Sequence, residues 1–376
     1  MRRIYLDYNA STPISQGARS AMAPYLEQAY GNPSSPHWAG KPARAAVEDA
    51  RGAVAALLGA SASEIIFTSG GSESNNLALK GVAFARRDKG RHIITAEAEH
   101  PAIQAPCAFL ERIGFEVTRV PVDHACRVDP EAVARAMRRD TVLISIMHAN
   151  NEVGTINPIS EIAKIAHANG ALMHTDAAQS IGKIQTNVDV LGVDLLTIAG
   201  HKLGAPKGIG ALYVRSGTPL EPLIHGAGHE HGMRAGTESA LLAVALGAAA
   251  REAMDLAPMK RVLALRERLW AQLQARFGDR VRLNGHADAR LPNTANISFV
   301  GRIGAEILAA LDGVAASTGS ACHSGLVELS PVLAAMQVRP EVGMGAIRFS
   351  LGRATTDEEI DAVVDDVARV MKTQAA

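Results

Sequence analysis

Short apolar runs alternate with longer stretches of helical period along the first two thirds of the chain. The runs at 4–8, 64–68, 92–96, 117–122, 141–147, 171–175, 194–198 and 209–214 are too short for helices and are bounded by turn-forming residues, so each predicts a strand. Between them, 42–58 places Ala46, Val47, Ala50, Val54, Leu57 and Leu58 at helical spacing and stops at Gly59. Helices are likewise predicted near 102–113, 130–138 and 159–168. Strand and helix in alternation predict an α/β fold with a mostly parallel sheet covered on both faces. In such a sheet the carboxyl ends of the strands share one edge, where ligands bind. Four polar residues, His100, Asn151, Asp176 and Lys202, each fall just after a predicted strand, so residues distant in sequence can meet there.

After about Ala257 the pattern changes. A long charged helical segment covers 260–277, a helix is predicted near 305–311, a loop of small residues runs over 317–325 and a strand over 346–350. This reads as a smaller α+β domain, joined by the N-terminal strand. The expected division is 14–256 for the large domain and 1–13 plus 257–376 for the small one. A chain of 376 residues is long for one core, which agrees with two domains.

Composition narrows the partners. Lys+Arg and Asp+Glu are equal at 38 each, which gives no electrostatic reason to expect nucleic acid or an anionic membrane. No apolar run approaches the length of a membrane span, and Met1 to Thr12 read as strand and turn rather than as a signal peptide. Three cysteines, an odd count spread far apart, argue against a disulfide framework and for a reducing compartment, so a cytoplasmic location is expected.

The candidate chemistry gathers around Lys202, in the stretch Gly200-His201-Lys202-Leu203-Gly204. A lysine in a dry pocket loses its charge and becomes a nucleophile towards carbonyls; the same stretch alone also reads as a Gly-rich surface loop. Ser69-Gly70-Gly71-Ser72-Glu73-Ser74 is a turn that leads into a helix expected from Asn75, and free N–H groups at the helix start with close backbone approach suit a phosphate; an ordinary turn with a serine cap fits equally well. Asp176 is placed to protonate a pyridine nitrogen or to cap the next helix. His100 is placed to stack on a ring or to be satisfied in the turn before Pro101. Asn151 and Gln179 are amides for a ring oxygen or for their own backbone. Ser72, His201 and Thr237 offer groups for a phosphate. Together these are the contacts that pyridoxal 5'-phosphate needs. His225, His229, Glu230 and His231 imitate a metal cluster of a hydrolase, but Gly226, Gly228 and Gly232 work against the helix that such spacing requires, so no metal is expected.

The chain resembles the cysteine desulfurase family, of the class V aminotransferase fold, over nearly its whole length. The resemblance is carried by Tyr5-Leu6-Asp7-Tyr8-Asn9-Ala10-Ser11-Thr12-Pro13, Gly31-Asn32-Pro33-Ser34-Ser35 and Thr68 to Asn76. It continues in Glu99-His100, Asn150-Asn151-Glu152-Val153-Gly154, Asp176-Ala177-Ala178-Gln179-Ser180, Gly200-His201-Lys202, Arg234-Ala235-Gly236-Thr237, Gly319-Ser320-Ala321-Cys322 and Arg348-Phe349-Ser350-Leu351-Gly352. It implies a pyridoxal-phosphate transferase of fold type I, with a mostly parallel sheet of the seven-stranded kind and a smaller α+β domain. It implies that Lys202 carries the cofactor as a Schiff base, His100 stacks on its ring, Asp176 binds its nitrogen and Gln179 its hydroxyl. Gly71, Ser72 and His201 are implied to take the phosphate, with Thr237 reaching the phosphate of a neighbouring subunit in a homodimer. Asn9, Asn151 and Arg348 are implied to position the carboxylate of L-cysteine; an Arg348 ion pair is the competing use. Cys322, in a loop of small residues, is implied to accept the sulfur as a persulfide, with His100 moving protons nearby and L-alanine leaving. Cys107 and Cys126 fit bland roles.

Three positions depart from the family pattern: Ala199 where a serine is common, His231 where an arginine is usual, and His323 after the cysteine where threonine or serine is commoner. An Ala-Cys-His-Ser segment also occurs in selenocysteine lyases, so release of selenium from L-selenocysteine is the second reading. A third is a scaffold of weak activity that docks a sulfur-acceptor protein. Iron–sulfur cluster assembly and tRNA modification both fit as the use of the sulfur.

Overall fold

The computed structural model describes residues 3–318, 322–323 and 326–373, with the backbone alone at 322–323, 326–327 and 373. β1 (Ile4–Tyr5) opens the chain. Seven strands follow: β2 (Ile65–Thr68), β3 (His92–Ala96), β4 (Glu116–Val120), β5 (Thr141–Ser145), β6 (Leu172–Asp176), β7 (Leu195–Ala199) and β8 (Gly210–Val214). Among the described residues they form one sheet in the order β2-β8-β7-β6-β5-β3-β4. The pairs β3–β4, β3–β5, β5–β6 and β6–β7 are parallel; β8 alone runs against both its neighbours.

Apolar residues on successive positions of these strands serve opposite faces, as the two-residue period requires. Ile66, Ile93, Leu143 and Leu195 pack with Leu77, Val82 and Leu110 on one side. Ile65, Ile94, Ile144 and Leu196 pack with Val47, Val54 and Leu246 on the other. Burial on both faces is why β2, β3, β5 and β7 read as near-continuous apolar runs. Truncating one of these fully buried side chains, such as Ile144→Ala, costs about 2–5 kcal/mol.

The remaining strands are β9 (Val281–Asn284), β10 (Thr294–Phe299), β11 (Val314–Ala315), β12 (Ser317–Thr318), β13 (Cys322–His323), β14 (Leu326–Val327) and β15 (Ala346–Ser350). β12-β15-β10-β9 make an antiparallel sheet, and β1 pairs with β11. The helices Pro258–Phe277 and Asp357–Thr373 cover this sheet, and Leu265, Leu269, Ile297, Phe349, Val363 and Val367 share one apolar cluster with Ile4 and Leu6. From there the N-terminal segment crosses to the larger sheet, where Thr12 N and Oγ1 both donate to the His201 carbonyl at 2.9 Å.

Three local expectations change. The loop expected over 317–325 contains strand: Cys322 pairs with Val327 and His323 with Leu326 in an antiparallel hairpin. β5 stops at Ser145 rather than Met147: Ile146 N still bonds His174 O of β6, and Met147 N then leaves the ladder for the Glu99 carboxylate at 2.7 Å. The helix expected from Asn75 begins at Gly71. Its entry rests on Gly70, at φ 151° and ψ −179°, a conformation that residues with a Cβ rarely adopt.

Candidate active site

The carboxyl ends of β3, β5, β6 and β7 open onto one cavity of about 330 Å³. His100, Asn151, Asp176 and Lys202 all line it, as the parallel topology predicts. Asn9, Gly71, Ser72, Gln179, His201 and Arg348 complete the wall together with Asn75.

Lys202 follows β7 in a single tight turn. Its amine is held below the ordinary lysine range chiefly by burial, with Asp176 opposing that effect and Arg348 adding to it. A desolvated amine of this kind is a nucleophile for a carbonyl carbon. Asp176 closes β6 and is buried; Asn75 Nδ2 donates to its Oδ2 at 2.7 Å and Ala178 N to its Oδ1 at 2.9 Å.

His100 caps the helix Pro101–Arg112, and its Nδ1 accepts the Ala102 N–H at 3.0 Å. That bond assigns the ring proton to Nε2 in the neutral form. Burial first, then the Lys202 charge, lower its pKa against the pull of Asp176, so the ring is neutral near pH 7. His201 is lowered in the same way, by burial and then by Lys202 and Lys207.

Gly71 and Ser72 form the first turn of a 15-residue helix, whose leading N–H groups have no partner within the helix. A Cβ on Gly71 would lie 3.1 Å from the Ala199 Cβ, so a glycine there keeps the backbone open to a ligand. Arg348, on β15, reaches in from the smaller sheet. Its Nη2 donates to Asp7 Oδ1 at 2.7 Å and its Nη1 to the Asn151 carbonyl at 3.0 Å, while its buried Nε has no partner. The ion pair is therefore present, and the same side chain lines the cavity.

One expected site residue lies elsewhere. Thr237 is exposed and lines a separate cavity of about 190 Å³ with Arg234 and Glu238, not the one around Lys202. The side chain of Cys322 lies outside the described residues; only its backbone pairing is described. Cys107 and Cys126 are buried, and burial pushes both thiols up, Cys107 to about 12. Glu230 turns into the core, where Arg51 Nη1 and Phe67 N donate to its Oε2 at 2.6 Å and 2.8 Å. Among the described residues no group of three or more His, Cys, Asp and Glu side chains converges on a metal position.

Sequence reasoning did not single out Asn75 or Lys183. Asn75 lies one turn into an amphipathic helix, where a polar residue ordinarily reads as solvent-facing. Lys183 follows Gln179 by four residues and its Nζ donates to Gln179 Oε1 at 3.1 Å.

The sequence profile of the aminotransferase class-V family matches residues 4–363. The chain belongs to the class-V aminotransferase family. It is 50% identical over 376 residues to the cysteine desulfurase IscS of Dictyoglomus turgidum, covering 99% of this chain and 95% of that one. A solved NifS-like protein superposes with a TM-score of 0.93 at 37% identity, over 99% of this chain and 100% of the other. SspA, solved in complex with cysteine, superposes with a TM-score of 0.84 at 37% identity, over 94% and 100%.

Proposed function

We propose that this class-V family member is a cysteine desulfurase, which converts L-cysteine to L-alanine and takes the sulfur onto Cys322 as a persulfide for an acceptor protein. The observation that carries the reading is the convergence of Lys202, Asp176 and His100 on one cavity, in a chain half identical to a cysteine desulfurase. The selenocysteine lyase reading is not favoured, since the relatives are named for cysteine desulfuration.

The family uses pyridoxal 5'-phosphate, and the residues present fit that group. Lys202 would hold it covalently, Asp176 would face its nitrogen, His100 its ring, and Gln179 with Asn151 its ring oxygen. Gly71, Ser72 and His201 would take its phosphate, with Ala199 leaving that end to backbone N–H groups. Bound there, the cofactor supplies an electron sink for the substrate's α-carbon.

The chain's own groups do the rest. Asn9, Asn151 and Arg348 hold the substrate carboxylate, the guanidinium using its fork geometry. Lys202, its pKa lowered by burial, removes the α-proton. His100 passes a proton at its Nε2. The Cys322 thiolate forms an S–S bond as the Cβ–S bond breaks; the electron pair stays with Cβ, which takes a proton and becomes the methyl group of alanine.

Thr237 completes the phosphate site of a second subunit in a homodimer; its absence from its own chain's Lys202 cavity supports this. Two units, 14–256 and 1–13 with 257–376, organise the chain. The separate apolar clusters support that division, although Val332 and Leu333 of the helix Pro331–Ala335 pack with the larger one. Among the described residues no helix is long and apolar enough to cross a membrane; a cytoplasmic location belongs to the same proposal, in line with the buried free thiols of Cys107 and Cys126.

The test supplies the protein with pyridoxal phosphate and offers L-cysteine and L-selenocysteine side by side. Alanine should form from L-cysteine and one sulfur should add to Cys322, and Cys322→Ala should lose that alanine formation. Alanine from L-selenocysteine alone would refute the reading.

A further inference from the structure

Lys183 approaches the site from behind. Its Nζ donates to Asn9 Oδ1 and to Gln179 Oε1, each at 3.1 Å. Both amides line the Lys202 cavity, whereas Lys183 lines a second cavity of about 240 Å³ on the other side of Lys202. An amide has two ends of similar shape and opposite hydrogen-bonding sense, and an ammonium offers donors only. A lysine facing two amides therefore decides which end of each points towards it.

The two amides depend on it unequally. Asn9 Oδ1 also accepts from Asn293 Nδ2 at 2.9 Å, and Asn9 Nδ2 is held by Thr294 Oγ1 at 2.8 Å and by the Asn151 carbonyl at 3.2 Å. Gln179 Oε1 has Lys183 as its described donor, while Gln179 Nε2 donates to the Asn9 carbonyl at 3.0 Å. Without Lys183, Asn9 keeps its orientation, whereas Gln179 Oε1 loses its described donor and the bond from Nε2 to the Asn9 carbonyl is left alone to oppose a turn of the amide. The ring oxygen of pyridoxal phosphate is an acceptor, which an N–H satisfies and a carbonyl repels.

We propose that Lys183 is a positioning residue for the cofactor, which pins the Gln179 carbonyl so that the amide N–H faces the ring oxygen. The proposal rests on the reading of the cavity as a pyridoxal-phosphate site. Lys202, in the turn after β7, and Arg348, on β15, face Lys183, with Asp7 paired to Arg348; Asp176 lines the Lys202 cavity, and Glu252 and Arg353 line the second cavity. Burial, then the charges of Lys202 and Arg348, bring the Lys183 amine to about 7. A neutral amine still carries two N–H groups, one for each amide oxygen, but it also gains an accepting lone pair, so the pinning is strongest while the amine is protonated.

The test compares the full-length wild type with Lys183→Met, Gln179→Leu and the double variant, reading pyridoxal-phosphate affinity and the absorption of the bound cofactor. Each single change should weaken affinity roughly tenfold, the worth of one good hydrogen bond. Lys183→Met should shift the absorption in the same direction as Gln179→Leu. The double variant should lose no more than Gln179→Leu alone, because the lysine acts through the glutamine. Wild-type affinity and absorption in Lys183→Met, or losses that multiply, would overturn the pinning while leaving the site reading intact. A wild type that takes up no pyridoxal phosphate overturns both. Should Lys183→Met not fold, Lys183→Gln decides. Its amide NH2 still offers N–H donors to Gln179 Oε1, so its affinity should stay within roughly threefold of wild type with unchanged absorption, and a tenfold loss overturns the proposal.

Discussion

One wall of the Lys202 cavity is a row of strand ends, and the opposite wall is borrowed. His100, Asp176 and Lys202 stand at or just past the carboxyl ends of β3, β6 and β7 in one sheet whose two faces are buried, so their spacing follows the sheet order, with β5 between β3 and β6, and the strand separation of about 4.7–4.9 Å. Asn9 and Arg348 come from the N-terminal segment and from β15, and the Arg348–Asp7 pair that aims the guanidinium joins residues 341 apart in sequence. The first wall is as rigid as the core beneath it. The second is as well placed as the packing of the smaller sheet against the larger. This division suits the proposed chemistry: groups that must not move sit on the sheet, and groups that grip the substrate's carboxylate sit where the two parts of the molecule meet.

The contrast can be broken by kinetics. Asp176→Asn keeps shape and hydrogen-bonding capacity but removes the charge, and should lower kcat by roughly 10²–10³-fold with little change in KM. Arg348→Lys keeps a charge beside Asp7 but loses the fork, and should raise the KM for L-cysteine roughly 10-fold while sparing kcat. Steady-state assays on both variants check the split. Equal losses in kcat and KM in each would show that the two walls act as one.

The smallest effect concerns the floor of the sheet wall. His174, on β6, is bonded to Ser145 Oγ at 2.8 Å and Thr197 Oγ1 at 3.1 Å, and burial lowers its pKa to about 4; His148 is lowered to about 4 by burial as well. The folded state favours the neutral rings. Below the ordinary histidine pKa of about 6.5 the unfolded chain binds protons that the folded chain does not, so stability falls from pH 6.5 towards pH 4. Each ring should account for roughly 2 kcal/mol at pH 5. Urea titrations at pH 7 and pH 5 measure the loss, and His174→Asn should flatten it by about half.

The strands of the large sheet were legible because burial on both faces leaves runs such as Ile65-Ile66-Phe67 with no polar position. Their ends were less so. Nothing in Ile146-Met147 announces that Met147 N will leave the ladder for Glu99. His100, Asn151, Asp176 and Lys202 could be read from topology, since each follows a strand. Asn9 and Arg348 could not, because no local pattern places them beside Lys202; the family resemblance pointed to them. Asn75 stayed hidden inside a helix, where its periodicity resembles that of a surface residue. Lys183 stayed hidden because a lone lysine near the surface is the usual expectation, and only the packing of Asn9 and Gln179 around its amine sets it apart. The strand pieces at 322–327 are two residues each, too short to show a period.

The central claim is that Lys202, at the carboxyl edge of the large sheet, is the residue that holds the cofactor. Borohydride reduction of the protein loaded with pyridoxal phosphate, followed by peptide mapping, tests it directly. The account predicts a yellow protein that bleaches on reduction, with the pyridoxyl label on Lys202 and none on Lys183. A label on Lys183 or another lysine, or a protein that takes up no cofactor, would contradict it.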